Sequence, residues 1–264
     1  MCRWAAYIGS PIYLEDVICR PGHSLVRQSH GATRCHTPVN ADGFGLAWYG
    51  DRAEPGQYRD IMPAWSDSNL KSLTATLKSH LFLAHVRAST GTATSRNNCH
   101  PFVVGKWSFM HNGQFGGYES YRRHADALIP DEFYAHRKGA TDSEALFLMA
   151  LGEGLEDDPA GAVARATAKF EALARQRGTT PHVRLTAAFS DGQRLYALRY
   201  ASDDQAPTLY HRWSEYRNGR AVVSEPLESD EADWLEIPQG SFCIFEGAEL
   251  SISSFRPAEH RAAA

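Results

Sequence analysis

Cysteine stands second in this chain, in Met1-Cys2-Arg3-Trp4. An initiator methionine is usually trimmed when a small side chain follows it. Trimming here leaves one residue carrying both a thiol nucleophile and an α-amine that can act as its base, a known way of activating cysteine. A free α-amine titrates at about 7.7–8.0 and a thiol at about 8.5, whereas a lysine near 10.4 would need a large shift. A general base works best when its pKa lies near the operating pH, so the amine needs little tuning. Cysteine also falls at position 2 by chance, so the chemistry has to be supported elsewhere in the chain.

Three segments supply candidates. In Ala84-His85-Val86-Arg87-Ala88-Ser89-Thr90-Gly91 an apolar run enters a turn of small residues. Arg87 at that point offers a planar fork suited to a carboxylate, or an ordinary surface ion pair. In Met110-His111-Asn112-Gly113, Asn112 brings a side-chain N–H, and Gly113 lets its backbone N–H approach a ligand closely. Two donors at one point are what a tetrahedral oxyanion requires. Asn-Gly is equally a strong hairpin-turn signal. In Thr141-Asp142-Ser143-Glu144, Thr141 and Glu144 have capping-box spacing. Asp142 can cap that helix or accept hydrogen bonds from a substrate ammonium.

Taken in order, the N-terminal Cys, Arg-x-x-Thr, His-Asn-Gly and Asp resemble the class II glutamine amidotransferases, members of the N-terminal-nucleophile hydrolase superfamily. Asp42-Gly43-Phe44-Gly45 and His100-Pro101-Phe102 resemble two further family segments, and Val223-Ser224-Glu225-Pro226-Leu227 resembles one found in standalone γ-glutamyl hydrolases. The resemblance implies that Cys2 attacks the γ-carbonyl of glutamine or a γ-glutamyl amide. Asn112 and Gly113 would form the oxyanion hole. Arg87 would bind the substrate α-carboxylate, Asp142 the α-ammonium, and Thr90 would help position the substrate. His85, His100 and His111 are expected to support the surrounding loops.

The elements that must hold these residues are legible in outline. Residues 4–8, 44–49, 81–86 and 107–110 read as strands, and residues 183–189, 195–200, 208–213, 221–223 and 242–245 as a second strand-rich block. Residues 23–29, 67–79, 145–151 and 159–177 read as helices, and 116–137 as partly helical with a break at Pro130. Asp191-Gly192 marks a hairpin. Strands, then helices, then strands point to an α+β protein with antiparallel sheets and segregated helices. With the family resemblance, the expectation is a four-layer αββα sandwich, the Ntn-hydrolase fold, built by residues 1–264 as a single domain with an Ala-rich tail from about 258.

Other classes are disfavoured. The net charge of −4 comes without a long basic run, which argues against nucleic acid or an anionic membrane as partner. There is no signal-peptide pattern and no bilayer-length apolar stretch, so a cytoplasmic location is expected. The five cysteines are odd in number and scattered, which fits reduced thiols. Cys35-His36 and Cys99-His100 lack the close cysteine spacing of zinc sites, so no metal is expected. No Gly-rich nucleotide fingerprint is present, so no cofactor is expected. The residues after Asp142 are expected to close the sandwich, so no fused synthase domain is expected. The expected substrate is a small molecule, glutamine or a γ-glutamyl amide. A separate synthase subunit, a homo-oligomer, and a non-catalytic binding or regulatory role remain as alternatives.

Overall fold

Apolar side chains on both faces of the first strand set the architecture. Trp4, Ala6 and Ile8 enter one buried cluster while Ala5 and Tyr7 enter another. A strand buried on both faces must lie at the centre of a layered structure. The computed structural model describes residues 2–34, 38–89, 91–228 and 230–257. In chain order the elements are β1 (Arg3–Tyr13), α1 (Glu15–Ile18), α2 (Leu25–His30), β2 (Phe44–Trp48), β3 (Gly56–Asp60), α3 (Ser68–Thr76), β4 (Lys78–Val86), β5 (Phe102–Val104) and β6 (Trp107–Phe115). There follow α4 (Tyr118–Asp126), α5 (Asp131–Tyr134), α6 (Asp142–Gly152), α7 (Pro159–Gln176), β7 (Val183–Ser190), β8 (Leu195–Ala201), β9 (Tyr210–Ser214), β10 (Gly219–Val223), β11 (Leu235–Glu236), β12 (Ser241–Glu246) and β13 (Glu249–Ser254).

The strands form two sheets, ordered β11-β9-β10-β1-β4-β2-β3 and β13-β12-β8-β7-β6-β5. Every pairing between them is antiparallel. Trp4, Leu81, Leu83, Met110 and Ala188 fill the space between the sheets. Val17, Leu25 and Leu70 from α1–α3 cover the outer face of the first sheet. Tyr121, Phe147 and Phe170 from α4, α6 and α7 cover that of the second. The result is the four-layer αββα sandwich expected from the sequence, with the Asp191-Gly192 hairpin joining β7 to β8.

Several boundaries differ from the expected ones. The helix expected over 67–79 ends at Thr76, and Lys78 already belongs to β4. Leu77 keeps helical spacing with Leu70 and Leu73 because all three pack under the same sheet. Periodicity alone therefore runs past the helix end. β3, β5 and β13 are edge strands that the sequence pattern does not mark: β5 spans only three residues, and β3 and β13 lack the continuous apolar run of a central strand. β6 does not stop at residue 110 but runs to Phe115.

Candidate active site

The start of β1 is held from both sides. Trp4 N–H donates to Ser224 Oγ at 2.9 Å, and Ser224 N–H donates to the Trp4 carbonyl at 3.0 Å. Arg3, fully buried, forms an ion pair with buried Glu225 at 3.1 Å. Glu225 also receives His23 Nε2 at 2.6 Å, Thr33 N–H at 2.9 Å, Thr33 Oγ1 at 2.6 Å and Arg34 N–H at 3.1 Å. The Ser-Glu-Pro-Leu segment thus clamps the two residues that follow Cys2. No pattern in the sequence assigns this segment that task.

Cys2 is partly buried, with Sγ 3.4 Å from Ala88 N and 3.5 Å from the Ala88 carbonyl. Burial pushes its thiol pKa up, more than the Ala88 peptide and the nearby Arg87 and Arg3 charges pull it down. The resting sulfur is therefore a neutral thiol, and attack requires a base to take its proton.

Arg87 directly follows β4 and is 3% exposed, so it is not a surface ion-pair residue. Its backbone N–H donates to the Gly43 carbonyl, and its carbonyl accepts from Asp42 N–H, locking it to the Asp42-Gly43 segment. The guanidinium donates to the Asp42 carbonyl at 3.2 Å, Ser89 Oγ at 3.0 Å and Thr92 Oγ1 at 2.6 Å. All these partners are neutral acceptors, so the positive charge is oriented but not neutralised.

Asn112 and Gly113 do not form a hairpin turn. They sit inside β6, opposite Thr186 and Leu185 of β7. Gly113 has φ of 146°, and a Cβ there would lie 1.9 Å from the Arg184 carbonyl oxygen. Only glycine lets the strand pass at this point. Asn112 is 1% exposed, and neither its Nδ2 nor its Oδ1 has a partner among the described residues. Buried amides are almost always hydrogen-bonded, so an unpartnered donor and acceptor on one buried side chain is unusual.

Asp142 is the first residue of α6, but Thr141 is its cap: Thr141 Oγ1 accepts from Glu144 N–H at 3.2 Å. Only half of the capping box forms, because the Glu144 carboxylate turns to Arg137 at 2.8 Å and to the N–H groups of Lys138 and Gly139. The Asp142 carboxylate accepts from Phe115 N–H at 3.1 Å and Ser143 N–H at 2.7 Å, which ties α6 to the end of β6.

A cavity of about 520 Å³ brings Cys2, Arg87, Gly113 and Asp142 onto one wall system, together with His100 and His111. Asn112 is not part of its lining; its side chain lies on the inter-sheet face of β6, like that of Met110. Thr90 lies outside the described residues. The histidines form a packed, uncharged group: His85 and His100 rings are 4.2 Å apart, His85 Nε2 meets the His111 carbonyl at 3.2 Å, and His111 Nδ1 meets Ser143 Oγ at 2.8 Å. Burial lowers His85 to about 3, His100 well below its ordinary value, and His111 in the same direction.

Among the described residues, no group of three or more His, Cys, Asp or Glu side chains is placed to hold a metal ion. Cys99 Sγ contacts the carbonyls of Asp60 and Ser95, and Cys35 and His36 lie outside the described residues. Among those residues, no helix is long and apolar enough to cross a membrane.

Residues 23–211 match the family model of the class II glutamine amidotransferases. The probable glutamine amidotransferase DUG3 of Saccharomyces cerevisiae is 33% identical over 287 residues, covering 91% of this chain and 80% of that protein. The γ-glutamyl-hercynylcysteine sulfoxide hydrolase of Mycolicibacterium smegmatis is 27% identical, covering 90% and 92% of the two chains. A solved class II glutamine aminotransferase domain protein from Silicibacter pomeroyi is 51% identical and superposes with a TM-score of 0.81, covering 98% of this chain and all of that one. The chain belongs to the class II glutamine amidotransferases.

Proposed function

We infer that this protein hydrolyses a γ-glutamyl amide through a covalent thioester on Cys2. The observation that carries this reading is the cavity in which a thiol, a buried unneutralised arginine, a glycine N–H edge and a helix-start carboxylate converge. The α-amine of Cys2, freed by removal of Met1, takes the thiol proton. The sulfur then attacks the γ-carbonyl carbon, and Asn112 Nδ2–H and Gly113 N–H hold the oxyanion. The amine leaves with the proton that the α-amine returns, and a γ-glutamyl thioester remains. Water adds to that thioester, with the α-amine again as base, and releases glutamate and the free thiol.

Arg87 takes the substrate α-carboxylate in a forked contact. Asp142 takes the α-ammonium, and Thr90 assists in positioning. A cavity of about 520 Å³ falls within the roughly 300–1,000 Å³ range of sites for ligands well above amino-acid size. It therefore leaves room for a leaving group larger than ammonia, which favours a γ-glutamyl compound over free glutamine and fits the named substrate of the mycobacterial relative. The reaction is complete within this one domain, acting in the cytoplasm without a resident cofactor.

Two measurements test this. Intact mass establishes whether Met1 is removed. Turnover of glutamine and of γ-glutamyl amides by the purified chain is then compared with that of Cys2→Ser, which should lose several orders of magnitude while keeping its melting temperature. Wild-type turnover in the Ser variant would refute the thioester. Activity that appears only with a co-purified protein would make the chain the glutaminase subunit of a larger amidotransferase.

A further inference from the structure

The two charges assigned to the amino-acid head of the substrate come from loops 55 positions apart in sequence, yet one buried side chain joins them. Asn98 is 3% exposed. Its Nδ2–H donates to the Ala93 carbonyl at 2.7 Å, and its Oδ1 accepts from Ala140 N–H at 2.7 Å. One partner is a carbonyl and the other an N–H, so the orientation of the amide is dictated by both. Ala93 follows Thr92, whose Oγ1 holds the Arg87 guanidinium at 2.6 Å. Ala140 precedes Thr141 and Asp142, the cap and first residue of α6. The loops meet closely elsewhere too: a Cβ on Gly139 would lie 2.4 Å from the Asn97 carbonyl oxygen and 2.6 Å from Asn98 Oδ1.

We propose that Asn98 is a positioning residue that sets the separation of the Arg87 guanidinium and the Asp142 carboxylate, and so selects substrates with a complete α-amino-acid head. An α-carboxylate and an α-ammonium share one carbon, so their spacing is fixed by covalent geometry. A site can profit from both contacts only when its own two charges are held at the matching distance. A pair of independent loops would adjust to either group alone. A pair bridged by one rigid amide is preorganised for both. The proposal rests on the assignment of Arg87 and Asp142 to the substrate head.

The test compares γ-glutamyl-p-nitroanilide with glutaryl-p-nitroanilide, which lacks only the α-ammonium. Asn98→Ala removes two buried hydrogen bonds, and the wild-type preference for the γ-glutamyl anilide should shrink on the order of tenfold. The change should appear as a higher KM for that substrate, with little change in kcat and little change for the glutaryl anilide. Equal loss on both substrates would mean a structural role and overturn the proposal. Asn98→Ser, whose side chain is shorter and sets its hydroxyl back from both partners, is the second variant should the Ala protein fail to fold. A folded Ser variant with unchanged preference would overturn the proposal as well. Calorimetric binding of L-glutamate and glutarate reads the same discrimination without turnover. A wild-type chain that binds glutamate more tightly than glutarate, and a variant that does not, supports the proposal even if neither anilide is cleaved. A wild-type chain that cleaves and binds neither overturns the glutamyl reading, and this proposal with it.

Discussion

Replacing Glu225 by glutamine changes one atom type, 1% exposed, and should be among the most damaging substitutions outside the cavity. Its Oε1 accepts from His23, Thr33 N–H and Thr33 Oγ1, and its Oε2 faces Arg34 N–H and the Arg3 guanidinium. A glutamine amide can serve one of these two sets only. Whichever way it turns, an NH2 group confronts donors. In either orientation the buried Arg3 loses its counter-charge. Breaking one side of a buried pair costs about 3–5 kcal/mol. For a domain of this size, about 2–4 °C of Tm accompanies each kcal/mol, so the loss should be on the order of 10 °C. Arg3 adjoins Cys2, so turnover should fall as well, even at temperatures where the variant is folded.

Acid gives a second readout of the same group. Burial by itself would raise the Glu225 pKa, but hydrogen bonds from Thr33 and His23 and the Arg3 charge outweigh it and leave the pKa lowered. A carboxylate with a depressed folded pKa contributes stability that is present above its unfolded value, near 4.3, and lost as pH falls through the folded value. The Tm gap between wild type and Glu225→Gln should therefore narrow below about pH 4. Calorimetric melting across pH 3–8 measures both effects. A variant melting within a degree or so of wild type at pH 7 would refute the clamp.

Gly113→Ala should lower kcat on the order of 10²–10³-fold, because a Cβ 1.9 Å from the Arg184 carbonyl oxygen must displace the strand that presents the backbone donor; steady-state kinetics on a γ-glutamyl amide checks it, and unchanged kcat would remove Gly113 from the oxyanion hole. Arg87→Lys should raise KM at least tenfold with a smaller change in kcat, since the forked contact is lost while the charge stays and the α-carboxylate does not change during the reaction; an unchanged KM would mean the substrate head lies elsewhere. Stability should also fall between neutral pH and about pH 5. His85, at about 3 in the fold, lies below its unfolded value, and His100 and His111 are shifted the same way, so the unfolded chain binds more protons as pH drops. A melting temperature flat between pH 7 and 5 would show that the histidine group is solvated.

The chemistry of the site was written in residue types because it depends on functional groups that few side chains offer. A thiol at position 2, a guanidinium after an apolar run, an Asn-Gly pair and a helix-start aspartate each admitted a bland reading, and only their order in the chain favoured a common one. The central strands were equally legible, since a strand buried on both faces carries a continuous apolar run. Edge strands β3, β5 and β13 were not, because they are short or partly exposed and lack the long apolar run that marks a central strand. The continuation of β6 through Asn112-Gly113 was hidden for a sharper reason. Asn-Gly satisfies the local demands of a turn, and its place in a strand is settled by β7, more than 70 residues later.

By itself the sequence determined which groups could react and the layered, antiparallel class of fold, because both follow from side-chain chemistry and from short-range periodicity. Tertiary structure alone decided that Glu225 clamps the start of β1, that Arg87 is buried against neutral acceptors, that the Asn112 amide has no partner among the described residues, and that Asn98 spans the loops bearing Arg87 and Asp142. Each of these is a contact between segments distant along the chain. No local pattern encodes such a contact, because it forms only when two sheets and their helices have packed and the backbone groups left over at their ends must find partners.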